Sequence, residues 1–151
     1  MKVFNTVKEL ENEIGKEIAI SNWLQINQKM VDDFSIVTDD PQWIHNDIER
    51  AKVDSPYGNT IAHGYLTLSL ITKLFEQEID FLPGKISINY GLNKVRFPGP
   101  VIVGEKIRAR FKLLSVKKFE KCVESIWNIT IMTQNSAKPV CIAESILRKY
   151  F

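Results

Sequence analysis

Cysteine is scarce: the 151 residues contain two, Cys122 and Cys141. With no CxxC pair, the chain lacks the ligand spacing of a structural zinc site and the cysteine density of a stapled secreted domain. A reduced compartment fits, with one optional disulfide left open. An excess of one charge is also missing. Twenty Lys and Arg against eighteen Asp and Glu leave a formal +2, so charge gives no argument for a nucleic-acid or membrane partner. No apolar run nears the roughly 18 residues of a membrane-spanning helix. Residues 1–15 form a short amphipathic stretch with acidic side chains and no hydrophobic signal core, so a cytoplasmic location is expected. No GxGxxG follows a strand pattern, and no GxxxxGK[ST] loop or GxSxG elbow occurs, so dinucleotide, nucleotide and serine-hydrolase chemistry lack their parts. Histidine is limited to His45 and His63.

What is present is the composition of a folded protein: 44% hydrophobic, 10% aromatic and 25% charged residues. The length suits one domain, 1–151, with a sizeable core. Thr6-Val7-Lys8-Glu9 has the pattern of a capping box, and Gly15 is the expected end of the short helix it opens. Residues 21–26 suit a strand. Met30, Val31, Phe34 and Val37 then recur at helical spacing up to Asp40. Residues 39–60, rich in Asp, Asn, Pro, Gly and Ser, predict an ordered loop region in which Asp47 caps a short turn.

After the turn signal Ser55-Pro56-Tyr57-Gly58-Asn59, the longest helix candidate runs from His63 or Gly64 to about Glu78. Leu66, Leu68, Leu70, Ile71, Leu74 and Phe75 leave it little polar circumference, as a helix surrounded by protein requires. Leu82-Pro83-Gly84 stops it. From there the spacing changes to two-residue alternation through Ile86-Ile88-Tyr90, Ile107-Ala109-Phe111-Leu113 and Val123-Ser125-Trp127-Ile129-Ile131, with a last strand over about 140–147. The expectation is an α+β fold, a curled antiparallel sheet laid against a central helix. Such a sheet leaves edges and apolar side chains uncovered, and a homodimer that extends it would cover them. The cations Lys94, Arg96, Lys106, Arg108, Arg110 and Lys112 suit either a solvated strand face or an anionic ligand.

The chemistry is concentrated in Thr38-Asp39-Asp40-Pro41-Gln42-Trp43-Ile44-His45 and in Ile61-Ala62-His63-Gly64-Tyr65. A carboxylate and an imidazole five positions apart converge across a turn. Asp40 can hold a water and accept a proton, while an imidazole with pKa near 6.5 exchanges one at neutral pH. The first amides of the following helix lack intrahelical partners and can donate to a developing oxyanion, and Gly64 permits close approach. Together these supply a base for water, an acid for an α-carbon and a donor for an enolate. The same residues also admit structural readings: Asp39 or Asp40 as a turn cap, His45 and His63 as hydrogen-bonded interior histidines, Tyr65 as pocket cover or core. Asp40, His45, Asp47 and His63 offer metal-ligand atoms, but their spacing matches no compact zinc signature, so no metal is assigned.

At these residues the chain resembles the MaoC-like dehydratases, which include R-specific enoyl-CoA hydratases, and most of all their nodulation protein N-like group. The family's aromatic residue, Thr-Gly-Asp-x-Asn-Pro-Ile-His run and later Ala appear as Phe34, residues 38–45 and Ala51. Gly58-Asn59-Thr60-Ile61-Ala62-His63-Gly64-Tyr65-Leu66-Thr67 resembles the opening of its central helix, and the stretch from Asn89 to Val101 its first long strand and return. The likeness spans about 3–149, with its weight in 34–67. It implies a hotdog fold, a homodimer joined edge to edge, and reversible hydration of a trans-2-enoyl thioester. Asp40 and His45 would be the catalytic dyad and Gly64 the amide donor. Gln42, Trp43, Ala62, His63, Tyr65, Lys94 and Arg96 would serve the substrate, an acyl-CoA or acyl carrier protein thioester, and no cofactor is implied. The departures are Asp39 for Gly, Gln42 for Asn and Trp43 for Pro, all in the active loop. A hotdog thioesterase and a noncatalytic acyl-thioester or protein-interaction module are the alternatives.

Overall fold

A computed structural model describes residues 1–151. Four long strands, β5 (Ile86–Arg96), β6 (Lys106–Lys118), β7 (Cys122–Thr133) and β8 (Cys141–Tyr150), follow the alternation of the sequence. With β2 (Glu17–Ile20) they form an antiparallel sheet in the order β2-β6-β7-β8-β5, and β3 (Leu24–Gln25) also pairs with β6. Along β6 and β7 one residue in two is buried, as expected of a sheet with one face on a core. Its concave side holds helices α5 (Gly64–Ser69) and α6 (Ile71–Glu76). Phe75 packs edge-on against Trp127 at 4.9 Å and Phe111 at 5.3 Å, the favoured geometry for aromatic pairs.

Several expectations are adjusted. The single helix to Glu78 is divided at Leu70 and ends at Glu76. The Ser69 hydroxyl donates to the Leu66 carbonyl at 2.8 Å, the kind of back-bonding that bends helices, while Leu70 N→Leu66 O and Leu74 N→Leu70 O carry the ladder across the break. Of the strand placed at 21–26 only Leu24–Gln25, β3, is extended; β2 precedes it and ends at Ile20, and between the two Ser21 bonds to Ala109 and Asn22 to Glu78. Two three-residue strands, β1 (Lys2–Phe4) and β4 (Ile79–Phe81), pair in parallel outside the main sheet. Thr6 caps α1 (Val7–Glu11) by accepting from Glu9 N, but the Glu9 carboxylate returns to Asn5 N, one residue before the box pattern; Gly15, at φ 86°, follows the helix in a turn. Both cysteines are free and buried, and burial pushes the Cys141 thiol up to about 11.

The region 39–60 is more helical than its composition suggests. α2 (Gln28–Thr38), capped by Asn27, is followed by α3 (Trp43–Asn46) and α4 (Ile48–Asp54), the latter capped by Asp47 accepting from Arg50 N. At the far edge of the sheet β5 is exposed along most of its length, and Ile86 and Tyr90 are 57% and 53% exposed. No helix is long and apolar enough to cross a membrane.

Candidate active site

Gln28, Asp32 and Ser35 stand at i, i+4 and i+7 on α2, hence on one face. That face carries the turn bearing the candidate dyad. Gln28 Nε2 donates to the His45 carbonyl at 2.8 Å and Gln28 Oε1 accepts from the Thr60 hydroxyl at 2.6 Å. Asn46 Nδ2 donates to Asp32 at 2.7 Å, and the Ser35 hydroxyl reaches both Asn46 Oδ1 and the Asp40 carbonyl. From the other side, Ile61 N bonds to Ile44 O at 3.0 Å and Ala62 N to Val101 O at 2.8 Å. The chain between Asp40 and His45 is therefore folded back against the segment that opens α5.

His45 and His63 are 8% and 3% exposed, and their rings are stacked with centroids 3.7 Å apart. One nitrogen of each imidazole and a carboxylate oxygen of Asp40 lie within 4.8 Å of one another. His45 Nδ1 sits 2.7 Å from the Ile61 carbonyl. A carbonyl only accepts, so Nδ1 carries the hydrogen and Nε2 of the neutral ring keeps its lone pair. Burial, helped by His63, holds the His45 pKa below its ordinary 6.5 against the opposing pull of the Ile61 carbonyl and Asp40. At neutral pH the ring is therefore an uncharged base. Stacked rings direct their in-plane lone pairs side by side rather than toward a common point, a poor arrangement for the convergent donors of a metal site.

A cavity of about 320 Å³ opens beside this cluster, lined by His45, Ala62, Gly64, Thr67, Tyr57 and Phe97 among others. Gly64 stands at the first position of α5, where backbone amides lack intrahelical partners. A Cβ there would lie 3.0 Å from the Phe97 ring, so this is a place where the backbone faces a side chain closely. Tyr65 is exposed and meets Phe97 edge-on at 5.9 Å.

Among the other residues expected at the pocket, Asp40, Gln42, Trp43, His63 and Tyr65 do not line this cavity: Asp40 and His63 adjoin it through His45, and Trp43 lies under the Arg50 guanidinium at 4.4 Å. Lys94 and Arg96 are exposed on edge strand β5, and neither is in an ion pair. The sequence assigned no site role to Ile61, which contributes its carbonyl, to Phe97, brought from the end of β5, or to the α2 residues Gln28, Asp32 and Ser35 that hold the loop. The Gly-Pro signals after Phe97 mark a turn but not the direction of its ring.

The family model described as the MaoC like domain matches residues 9–133. The chain belongs to the MaoC-like family. It is 44% identical over 149 residues to a 3-hydroxyacyl-thioester dehydratase Z of Mycobacterium tuberculosis, covering 98% of each chain. It is 36% identical to a nodulation protein N of Rhizobium leguminosarum, covering 93% of this chain and 89% of that one. The solved (R)-hydratase from A. caviae superposes with a TM-score of 0.72 at 27% identity, over 89% of this chain and 95% of the other. The helix wrapped by a curved antiparallel sheet is thus the hotdog fold of MaoC-like hydratases.

The structure of this MaoC-like chain also explains what its departures do. Asp39 is the C-cap of α2 in the left-handed region, φ 53° and ψ 41°, where the family pattern has the residue that adopts this conformation without penalty. Gln42 and Trp43 are the N-cap and first residue of α3. Asn and Pro suit those positions, one by capping and the other by its fixed φ. Gln42 makes no side-chain cap bond. All three differences lie in local helix-terminus chemistry.

Proposed function

We propose that the chain is an R-specific enoyl-thioester hydratase, a hydro-lyase that reversibly adds water across a trans-2-enoyl thioester to give an R-3-hydroxyacyl thioester. The observation carrying this reading is the 2.7 Å contact of His45 Nδ1 with the Ile61 carbonyl, which leaves Nε2 of the neutral ring its lone pair, on a residue that lines the cavity with Gly64 and clusters with the Asp40 carboxylate. The family relation and the names of the relatives support the same reaction class.

In the hydration direction, Asp40 and His45 hold one water between them. His45 Nε2 takes a proton as the water oxygen bonds to the β-carbon, and the π electrons shift toward the thioester oxygen. The Gly64 amide donates to that oxygen and stabilises the enolate. As the enolate collapses, the α-carbon takes the proton back from the dyad, with Asp40 helping its transfer. One face of the substrate receives both groups, which makes the addition syn. The sum is alkene plus water to alcohol, redox-neutral and balanced with no cofactor and no metal.

The acyl part enters the cavity past Ala62 and Gly64, with Tyr65 and Phe97 at its mouth, while His63 backs the dyad. Gln42 and Trp43 act through the loop's conformation. Lys94 and Arg96 are free to meet the phosphates of coenzyme A or an acyl carrier protein. The exposed apolar residues of β5 support a homodimer in which two such strands pair; light scattering should give twice the 17.4 kDa chain mass. Neither nucleic acid nor membrane is part of the proposal, and a cytoplasmic location accompanies it. The test is loss of enoyl-thioester absorbance on adding crotonyl-CoA and longer homologues, with Asp40→Asn as control. Turnover by the native chain and its loss in the variant are expected; no turnover at any chain length refutes the reaction.

A further inference from the structure

His63 has no assigned step in the reaction above, yet it is among the most deeply buried polar residues of the chain. Its Nε2 lies 3.2 Å from the Asp40 main-chain carbonyl and 3.9 Å from a carboxylate oxygen of the same residue. The carbonyl accepts, so Nε2 carries the hydrogen. Nδ1 is buried with no hydrogen-bond partner. A hydrogen on Nδ1 would be an unsatisfied buried donor, and a second charge would sit 3.7 Å from the His45 ring that must itself become positive in turnover. The ring faces Phe34 at 5.1 Å, which offers no donor.

Asp40 needs such support. Its side chain is 55% exposed and accepts no hydrogen bond. Its position is set through its main chain: Asp40 N bonds to Ser35 O at 3.1 Å, and Asp40 O accepts from the Ser35 hydroxyl and His63 Nε2. His63 therefore touches both members of the dyad in different ways, by a hydrogen bond to the backbone of one and by its ring face to the other.

We propose that His63 is a positioning residue, held neutral as the Nε2–H tautomer, that fixes the distance between Asp40 and His45 through its hydrogen bond to the Asp40 carbonyl. This rests on the hydratase reading for its catalytic consequence but not for its structural one. The titratable group facing the pair is Asp40 from the loop, and Tyr57, from the turn after α4, lines the same cavity as His45.

Because the chain has only two histidines, long-range proton–nitrogen spectra of the 15N-labelled protein resolve both rings, with assignment from a His63 variant. At pH 7 to 8 the expected pattern is hydrogen on Nε2 of His63 and on Nδ1 of His45. His63 doubly protonated, or carrying its hydrogen on Nδ1, overturns the proposal whether or not the protein turns over any thioester. Two variants then test the consequence. In His63→Gln the carboxamide nitrogen can take the place of Nε2. His63→Phe keeps a ring for the stack and removes the donor.

Expected is kcat within about threefold of wild type for Gln, and a fall of about 10- to 100-fold for Phe with KM within twofold, the scale of a misplaced reacting group. Wild-type turnover in folded His63→Phe, or a loss in which KM rises and kcat is unchanged, overturns the positioning role. If Phe fails to fold, Gln decides: a kcat loss greater than tenfold in folded His63→Gln overturns it. Absence of turnover in the native protein refutes the hydratase reading, and the tautomer spectrum then decides this proposal alone.

Discussion

Replacing His45 separates its two jobs. One nitrogen bonds to the Ile61 carbonyl at 2.7 Å, and the other is the proposed base. Asn places a carboxamide nitrogen near the position of Nδ1, so His45→Asn can keep the bond to Ile61 while deleting the base. His45→Ala deletes both, along with the stack on His63. Loss of a general base costs about 10²–10⁴ in rate, equivalent to about 2.7–5.5 kcal/mol on the barrier. A carbonyl left without its donor costs about 1–3 kcal/mol of stability. The two variants should therefore lose turnover alike, measured by crotonyl-CoA absorbance, and differ in stability, measured by urea unfolding with a common slope. His45→Ala should be the less stable by about 1–3 kcal/mol. His45→Asn turning over within threefold of wild type would refute the assignment of Nε2 as the base, and equal stabilities would refute the tautomer argument.

Three further outcomes are expected. The acidic limb of kcat/KM should have its midpoint below 6.5, since the folded His45 pKa is depressed; the same group gives stability that is complete above 6.5 and is lost as pH falls through the lowered value, and a limb above 6.5 would contradict the burial argument. Asp39→Gly should raise unfolding stability by up to about 1 kcal/mol by relieving the left-handed conformation at φ 53°, with turnover retained; a loss of stability would show that the Asp39 side chain, not its backbone, matters. Gly64→Ala puts a methyl 3.0 Å from the Phe97 ring, which is 39% exposed and can swing away. Stability should change by less than about 1.5 kcal/mol while kcat/KM falls about tenfold or more, and adding Phe97→Ala should recover part of it; full activity in Gly64→Ala would remove Gly64 from the site.

The long strands were legible because alternation sustained over nine residues, as in Val123 to Ile131, has no competing explanation. The cap of Asp47 follows from residue type as well. Other features lack a local signature. Three residues such as Lys2–Phe4 are too few to display a period, and their partner Ile79–Phe81 lies far along the chain. α3 and α4, four and seven residues long, disappear among the Asp, Asn and Pro of their region. Alternation at Ile86, Ile88 and Tyr90 announces a strand but not that its apolar side chains stay exposed in a single chain.

At the site, Asp40 and His45 could be named from their spacing and the helix opening from Gly64. The stack of His45 on His63 depends on the fold-back of the loop onto residues 60–63, which only three-dimensional structure displays. The same holds for Phe97 and Val140, which reach the cavity from separate strands or turns. Conversely, Trp43 drew attention as a large aromatic in the motif, and its position under Arg50, outside the cavity lining, follows from the direction of α3.

The central claim concerns where water oxygen goes. An enoyl-CoA incubated with the protein in 18O-labelled water, followed by mass spectrometry and chiral separation, reads it directly. The account predicts one 18O on the C3 hydroxyl of an intact R-3-hydroxyacyl thioester, formed by the native protein and not by Asp40→Asn. Label in the carboxylate of a free acid with release of thiol, or an S product, would contradict it.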